Sequence, residues 1–139
     1  MSGTKAFFDT NVLLYLMSED ETKADRAEQC LAQGGVISVQ VLNEFTSVAS
    51  RKLKLSYPDI RDFLTTIRTM IPVEPLSLAT HDSALALAER YGFSFYDALI
   101  VSSALRAGCD RLYTEDLQDG QVIDQRLLVS NPFAASTSG

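Results

Sequence analysis

Short apolar runs alternate along the chain with longer stretches of helical periodicity, and this alternation constrains the fold most. The run KAFFD (5–9) is continuously apolar before its final residue, as strands buried inside parallel sheets are. Residues 36–39 and 110–113 are predicted as further short strands, and 72–75 is a short extended piece limited by its prolines. This pattern predicts an α/β fold, with helices on both faces of a mostly parallel central sheet.

The segments between these runs carry helix start and stop signals. Ser38, Ser56 and Ser77 are expected caps, and Gly92 and Gly108 are expected stops. The predicted helices cover 10–17, 21–33, 39 to about 53, 57–71, 78–91 and 95–107, and one or two edge strands are expected within 121–130. We therefore expect a single domain over residues 1–133, followed by a disordered tail at 134–139.

Composition limits the classes of protein that the chain can belong to. The 139 residues are 46% hydrophobic and contain no run near the ~18 apolar residues that cross a bilayer, so no membrane span is expected. The N-terminus has no signal-peptide pattern, and Cys30 and Cys109 lack metal-ligand spacing. We interpret the two cysteines as reduced core thiols of a cytoplasmic protein, in preference to a disulfide or a zinc site.

The net charge of −6 argues against nonspecific nucleic-acid binding, which depends on Lys and Arg neutralising phosphates. A local basic rim stays compatible with this total, and so does a group of acids gathered around one cation.

Asp9 interrupts the first apolar segment, because Phe7 and Phe8 precede it and Val12 to Met17 follow. A carboxylate removed from water without a partner costs enough free energy that it tends to take up a proton. Asp9 is therefore either a turn residue that caps the next helix or one ligand of a cation.

Three further acids are expected close to Asp9. Parallel sheets bind ligands at the carboxyl ends of their strands. Asp116 follows the strand RLYT, Glu44 lies in the helix after the second strand, and Asp97 begins the inward stripe of the helix 95–107. Several carboxylates in one cleft repel each other, and Mg²⁺ or Mn²⁺ with oxygen ligands would relieve that repulsion.

Each acid also has an ordinary structural interpretation. Asp9 and Asp97 could serve as a helix cap and a first-turn acid, and Glu44 could be a solvated helix residue. Asp116 lies in a polar turn with Glu115 and Asp119, where acids are common. Only the joint arrangement of the four favours a metal site.

The segments FFDTNVLLY, ISVQVLNEF, GFSFYDALIVSSAL and RLYTEDLQDG, taken in this order, resemble the successive motifs of the PIN-domain ribonucleases over residues 5–133. The resemblance implies a three-layer α/β/α sandwich and a Mg²⁺- or Mn²⁺-dependent nuclease that cleaves single-stranded or loop RNA. Among small prokaryotic members, the chain looks most like a VapC-type toxin, which a VapB-type antitoxin neutralises.

The resemblance also assigns roles to individual residues. It carries the acidic set over to Asp9, Glu44, Asp97 and Asp116, as catalytic and metal-binding residues. The small polar supporting residues of the family correspond to Thr10, Asn11, Ser38 and Thr114. In the last motif the pattern favours Asp116, while Asp119 could reach a second ion.

Sequence features outside the motifs suggest contacts with partners. Arg51, Lys52 and Lys54 are candidates for RNA contact, although a helix C-terminus also favours basic residues. The helix 10–17 carries more apolar residues than one inward stripe needs, so it either lines an antitoxin groove or is covered by the helix 21–33. A homodimer is expected, and the Ala-rich helix 77–91 would allow close packing.

Two alternative functions stay open on the sequence. A metal-dependent phosphatase with an aspartyl nucleophile at Asp9 is disfavoured, since Asn11 stands where a second Asp is usual and no lysine lies near the last acidic motif. The chain could also be a binding module that keeps the fold without catalysis. His81, the one histidine, is interpreted as a packed or half-exposed helix residue and not as a proton shuttle.

Overall fold

The computed structural model describes residues 4–134, and it confirms the alternation of strands and helices. The strands are β1 (Ala6–Phe8), β2 (Ile37–Ser38), β3 (Val73–Glu74), β4 (Arg111–Tyr113), β5 (Val122–Ile123) and β6 (Leu127–Ser130). The helices are α1 (Thr10–Tyr15), α2 (Glu21–Ala32), α3 (Val39–Arg51), α4 (Tyr57–Met70), α5 (Leu78–Tyr91) and α6 (Phe95–Arg106). The part of the predicted tail at 135–139 lies outside the described residues.

The central sheet is mostly parallel, as predicted. Its hydrogen-bonded order is β1-β4-β6-β5, and only the β5–β6 pair is antiparallel. A parallel bridge between Phe7 and Val36 joins β1 to the separate β2–β3 pair. The strands therefore follow one another across the sheet in the order β3, β2, β1, β4, β6 and β5.

The strand order reverses at β1, and this reversal determines where a ligand can bind. From β1 the chain moves outward to β2 and β3, and it then returns to place β4 on the other side of β1. Because β-α-β crossovers are right-handed, helices α1–α4 and α5–α6 belong to opposite faces, giving three α/β/α layers. The crevice beyond the carboxyl ends of β1 and β4 is the topological switch point of the sheet.

Strand β1 is buried on both faces, and β4 and β6 alternate between buried and partly exposed residues. Phe7, Phe8 and Leu112 are fully buried in one continuous apolar core. Gly34 ends the turn after α2 with φ of 83°. At Gly35 a Cβ atom would come within 2.6 Å of the Ala6 carbonyl oxygen, so only glycine allows this close approach to β1.

Several predictions about individual residues need correction. The regular apolar spacing of 57–71 predicts a buried stripe that includes Met70, but Met70 is 61% exposed. The apolar spacing of the preceding helix predicts that Leu53 belongs to it, but Leu53 lies beyond the end of α3 and is 45% exposed. Ser38 occupies the N-cap position of α3 without capping it through its side chain. Within 121–130, β6 is an interior strand between β4 and β5, because it extends the parallel pairing of β4.

Two composition-based expectations can be compared with the structure. Cys30 and Cys109 are buried free thiols, and burial raises their pKa to about 12 and about 11. Over residues 4–134, none of the helices has both the length and the apolar content that crossing a bilayer requires.

Candidate active site at the β1–β4 switch point

Asp9 lies where β1 ends, and its side chain is only 4% exposed. Its backbone N–H donates to the Tyr113 carbonyl of β4, which ties it to the neighbouring strand. Its Oδ1 accepts a 2.7 Å hydrogen bond from the Thr10 N–H, and its Oδ2 accepts one of 2.7 Å from the Thr114 hydroxyl. Asp9 is thus the N-cap of α1, and it is also fixed by both strands of the switch point.

The electrostatics of Asp9 show that capping alone does not compensate for its burial. Burial raises the pKa of the Asp9 carboxyl from 3.8 to about 7, although the Thr114 and Thr10 hydrogen bonds oppose the shift. The negative charges of Asp116 and Glu44 raise this pKa further. A nearby cation would reverse the balance and favour the ionised carboxylate.

Glu44 reaches the same crevice from α3. Its Oε1 accepts a 3.0 Å hydrogen bond from the hydroxyl of Thr10, the residue after Asp9. Burial raises the pKa of Glu44, and the negative charges of Asp97 and Asp116 add to the increase, while hydrogen bonds from Thr10 and Gln40 oppose it. Thr10 therefore connects Glu44 to Asp9, since its backbone N–H bonds to Asp9 and its hydroxyl bonds to Glu44.

Asp97 lies in the first turn of α6, half-buried, with its backbone N–H bonded to the Ser94 hydroxyl. Burial raises the pKa of Asp97, hydrogen bonding with Ser94 opposes this, and the charge of Asp116 adds to the rise. Ser94 is the N-cap of α6, and the spacing Ser-x-x-Asp could have revealed its role in the sequence.

Asp116 is the most exposed of the four acids, and two of the predicted supporting residues hold it. The Asn11 Nδ2 donates to Asp116 Oδ2 at 3.3 Å, and the Asp116 N–H donates to the Thr114 hydroxyl oxygen at 3.0 Å. The Thr114 hydroxyl therefore bonds to two of the four acids. The structure brings Asp9, Glu44, Asp97 and Asp116 into one electrostatically coupled group.

The two neighbouring acids of the last motif have other partners. The hydroxyl of Tyr15 lies 2.9 Å from both carboxylate oxygens of Glu115. The Asp119 Oδ1 accepts a 2.9 Å hydrogen bond from the Asn131 N–H, which closes the loop before β5. These bonds give each of the two carboxylates a structural partner.

The remaining predicted site residues are less closely connected to the four acids. Ser38 is fully buried and its Oγ has no hydrogen-bond partner among residues 4–134, so no bond links it to the acids. His81 is half-exposed on α5, with its ring edge-on to Phe95. Lys52 and Lys54 are exposed beyond the end of α3.

Arg51, by contrast, shares an open cleft with Glu44. The cleft measures about 470 Å³ and follows one face of α3, and its principal lining residues are Gln40, Asn43, Glu44, Ser47, Arg51 and Tyr96. Sequence reasoning missed Tyr96 and the amide side chains, because the cleft exists only where the start of α6 lies beside α3. The single sequence signal was the position of Tyr96 immediately before Asp97.

Comparison with known proteins identifies the family. The model of the PIN domain family matches residues 6–118, which include all four acids. The chain belongs to the PIN domain family. A search of curated protein sequences found no significant match.

Solved structures support the PIN fold. A toxin–antitoxin complex from Klebsiella pneumoniae superposes with a TM-score of 0.72 at 23% identity, covering 94% of this chain and 100% of that one. VapC20 of Mycobacterium tuberculosis, a toxin that cleaves the sarcin–ricin loop, gives 0.67 at 18% identity, with coverage of 81% and 90%. DNA-bound VapBC from Salmonella typhimurium gives 0.69 at 16% identity, with coverage of 94% and 99%.

The residues of this PIN domain suit a hard divalent cation. The Asn11 Oδ1 is buried without a hydrogen-bond partner among the described residues, and no ion pair in that part of the chain involves any of the four acids. No three Asp, Glu, His or Cys side chains within residues 4–134 come close enough to hold one ion directly. Mg²⁺ commonly keeps several waters and binds through one or two carboxylates, so it does not require three protein ligands.

Proposed function

We propose that this PIN domain is a Mg²⁺- or Mn²⁺-dependent endoribonuclease, and that it is the toxin of a VapBC-type toxin–antitoxin pair. The observation that carries the proposal is the coupled group of four acids at the switch point. Three of these acids have pKa values raised by burial and by each other's charges, with no basic side chain paired to them in the described chain. A structural ion-pair network would instead supply the missing positive charge from the protein itself.

Each residue has a definite task in this proposal. Asp9 and Asp97 would hold the ion directly or through water, and Glu44 and Asp116 would complete the site, one of them orienting the attacking water. When bound, a divalent cation supplies an activated water and neutralises charge that develops on the scissile phosphate. Thr10, Asn11 and Thr114 fix the carboxylates through the hydrogen bonds described above, and such bonds commonly determine ligand orientation.

The direct test is cleavage of single-stranded RNA by the purified chain. We expect cleavage in Mn²⁺ or Mg²⁺ and none in EDTA. Asp9→Asn should remove activity while leaving the circular dichroism spectrum unchanged, because it preserves shape and removes charge. His81→Ala, the matched control outside the acidic group, should keep most of the activity. An Asp9→Asn rate within about tenfold of wild type would contradict the proposed role of Asp9.

Ion binding can be measured separately from catalysis. Since an ion that binds the folded state stabilises it by mass action, Mn²⁺ should raise the melting temperature of the wild-type chain. Asp97→Asn should reduce this shift. A shift without RNA cleavage would favour a non-catalytic PIN-fold binding module, and the absence of both would reject the metal site.

The antitoxin proposal rests on an apolar groove formed at the C-terminal ends of α1, α2 and α4. The groove measures about 210 Å³, and its apolar walls are formed by Leu16, Leu31, Ile67, Met70 and Ile71. The exposure of Met70, which the sequence assigned to the core, leaves this surface open. The solved relatives include a toxin–antitoxin complex, and an apolar antitoxin segment with a basic side chain would complement both the groove and the acids.

The genomic neighbourhood provides the simplest test of this biological role. We expect a short upstream reading frame that encodes a DNA-binding antitoxin. Co-expression of its product should abolish the RNA cleavage measured for the purified chain.

A homodimer is a further part of the proposal. The helix α5 exposes Leu78 and Leu85, at 77% and 52%, on a surface rich in small side chains. Equilibrium sedimentation should show a dimer, and Leu85→Glu should shift it towards monomer.

A further inference from the structure

The cleft beside Glu44 changes its chemistry along its length. Glu44 marks the acidic end, and Arg51 lies two helical turns further along α3, roughly 10 Å away at 1.5 Å per residue. Gln40, Asn43 and Ser47 supply uncharged polar groups on the same helix face. The cleft therefore offers a cation-binding end and a guanidinium, joined by groups that can donate or accept hydrogen bonds.

Arg51 is held in position at its end of the cleft. Its Nε donates to the carbonyl and to the hydroxyl oxygen of Ser47, at 3.3 and 3.2 Å. This arrangement uses Nε and fixes the side chain along the helix, which leaves the two terminal nitrogens for a ligand. A planar guanidinium presenting two donors suits a phosphate.

Tyr96 forms the opposite wall of the cleft. It precedes Asp97 in the first turn of α6 and is 61% exposed, with its ring edge-on to Phe95 at 6.1 Å. Isolated exposed aromatic residues are ordinary, but this one combines exposure with a position between an acid and a polar cleft. Exposed aromatic rings beside a basic group are the usual means of binding unpaired bases by stacking.

We propose that the cleft binds a single-stranded RNA segment, with one base stacked on Tyr96 and a nearby phosphate on Arg51. This places the scissile phosphate beside Glu44 and Asp97, and it makes Tyr96 and Arg51 positioning residues for the reaction. The inference rests on the proposed ribonuclease function and deepens it. Such stacking would favour unpaired RNA over a duplex, because a base within a duplex has no free face to stack on Tyr96.

Binding without cleavage tests this directly. In the Asp9→Asn background, we would compare a fluorescent oligouridylate with an abasic ribose–phosphate oligomer of the same length. Both carry the same phosphates, and only the first has bases. The oligouridylate should bind about tenfold more tightly, as one stacked base implies. Tyr96→Ala should abolish this preference, and Tyr96→Phe should retain it.

Matched controls separate stacking from general surface effects. Tyr57 is 65% exposed at the start of α4 and outside the cleft, so Tyr57→Ala should leave the preference unchanged. Arg51→Gln should weaken the binding of both oligomers equally and reduce the salt dependence of binding by about one phosphate contact. Arg68→Gln, at an exposed arginine on α4 outside the cleft, should change neither.

The possible failures are distinguishable. Equal affinity of the two oligomers in the Tyr96-containing protein, or no binding of either, would overturn the stacking proposal. Loss of dimerisation in Tyr96→Ala with an unchanged base preference would overturn it as well, and would assign the cleft to a contact between two copies of the chain. The absence of metal-dependent cleavage by the wild-type chain would instead reject the ribonuclease function, whatever the binding results.

Discussion

The Thr114 hydroxyl donates a 2.7 Å hydrogen bond to Asp9 Oδ2, and this bond joins the ends of β1 and β4, where the strand order reverses. Thr114 is fully buried after β4, and Asp9 is nearly so after β1. The same hydroxyl oxygen accepts the Asp116 N–H at 3.0 Å. One side chain therefore fixes the buried acid and the loop that carries the exposed acid.

Removing this hydroxyl should shift the pH dependence of the proposed activity. The Thr114 bond lowers the pKa of Asp9, so Thr114→Val should raise that pKa further. The acidic limb of the pH–rate profile for RNA cleavage should then move to higher pH, with a lower rate at neutral pH. Thr114→Ser keeps the hydroxyl and should restore the wild-type profile. An unchanged limb in Thr114→Val would show that this bond does not control Asp9.

The raised pKa of Asp9 also predicts how stability depends on pH without metal. The folded state favours protonated Asp9. The stability that this protonation contributes to the free energy of unfolding is fully present below pH 3.8 and is lost as pH rises towards about 7. The loss amounts to a few kcal/mol at about 1.36 kcal/mol per pH unit. Denaturant titrations in EDTA should therefore show a decline in the free energy of unfolding over this range that Asp9→Asn reduces.

The control for this measurement is an exposed aspartate. Asp62 on α4 is solvent-exposed, and Asp62→Asn should leave the decline as it is in the wild type. Saturating Mn²⁺ should oppose the decline, because the ion binds the ionised carboxylates. A wild-type chain whose stability is constant from pH 4 to pH 7 in EDTA would contradict the raised pKa of Asp9.

The sequence predicted the parallel sheet, and it predicted that Asp9 and Asp116 follow strands of that sheet. Continuous apolar strands imply a parallel sheet, and a carboxylate between two apolar runs can lie only at a strand end or a buried turn. The helical stripe that begins at Asp97 predicted the direction of its side chain. These inferences depend on short-range patterns, which is why they needed no tertiary information.

Other features depend on contacts between distant residues. Glu115 and Asp116 are adjacent and chemically similar. They differ in their partners, because Glu115 accepts a hydrogen bond from Tyr15, which lies 100 positions away in the sequence. The cleft at Tyr96 likewise requires α3 and α6 to lie side by side. Met70 continues a regular apolar stripe but falls at the end of α4, where no other element covers it.

The two adjacent acids provide a matched pair of variants. Asp116→Asn should strongly reduce RNA cleavage, because it removes a charge that acts on the other three acids of the group. Glu115→Gln should keep most of the activity, since the side chain is engaged with Tyr15. Both rates should be measured at saturating Mn²⁺. Equal losses in the two variants would place Glu115 in the metal site.

The apolar groove makes a prediction that separates partner binding from folding. Leu13 is fully buried, so this part of the helix 10–17 belongs to the core and Leu13→Glu should prevent folding. Leu16 is only partly buried and lines the groove, so Leu16→Glu should leave a folded chain that cleaves RNA. This variant should no longer be inhibited by the product of the neighbouring reading frame. Tyr57→Glu at the exposed start of α4 carries the same charge outside the groove and should stay sensitive. If Leu16→Glu were folded and still fully inhibited, the antitoxin would bind elsewhere.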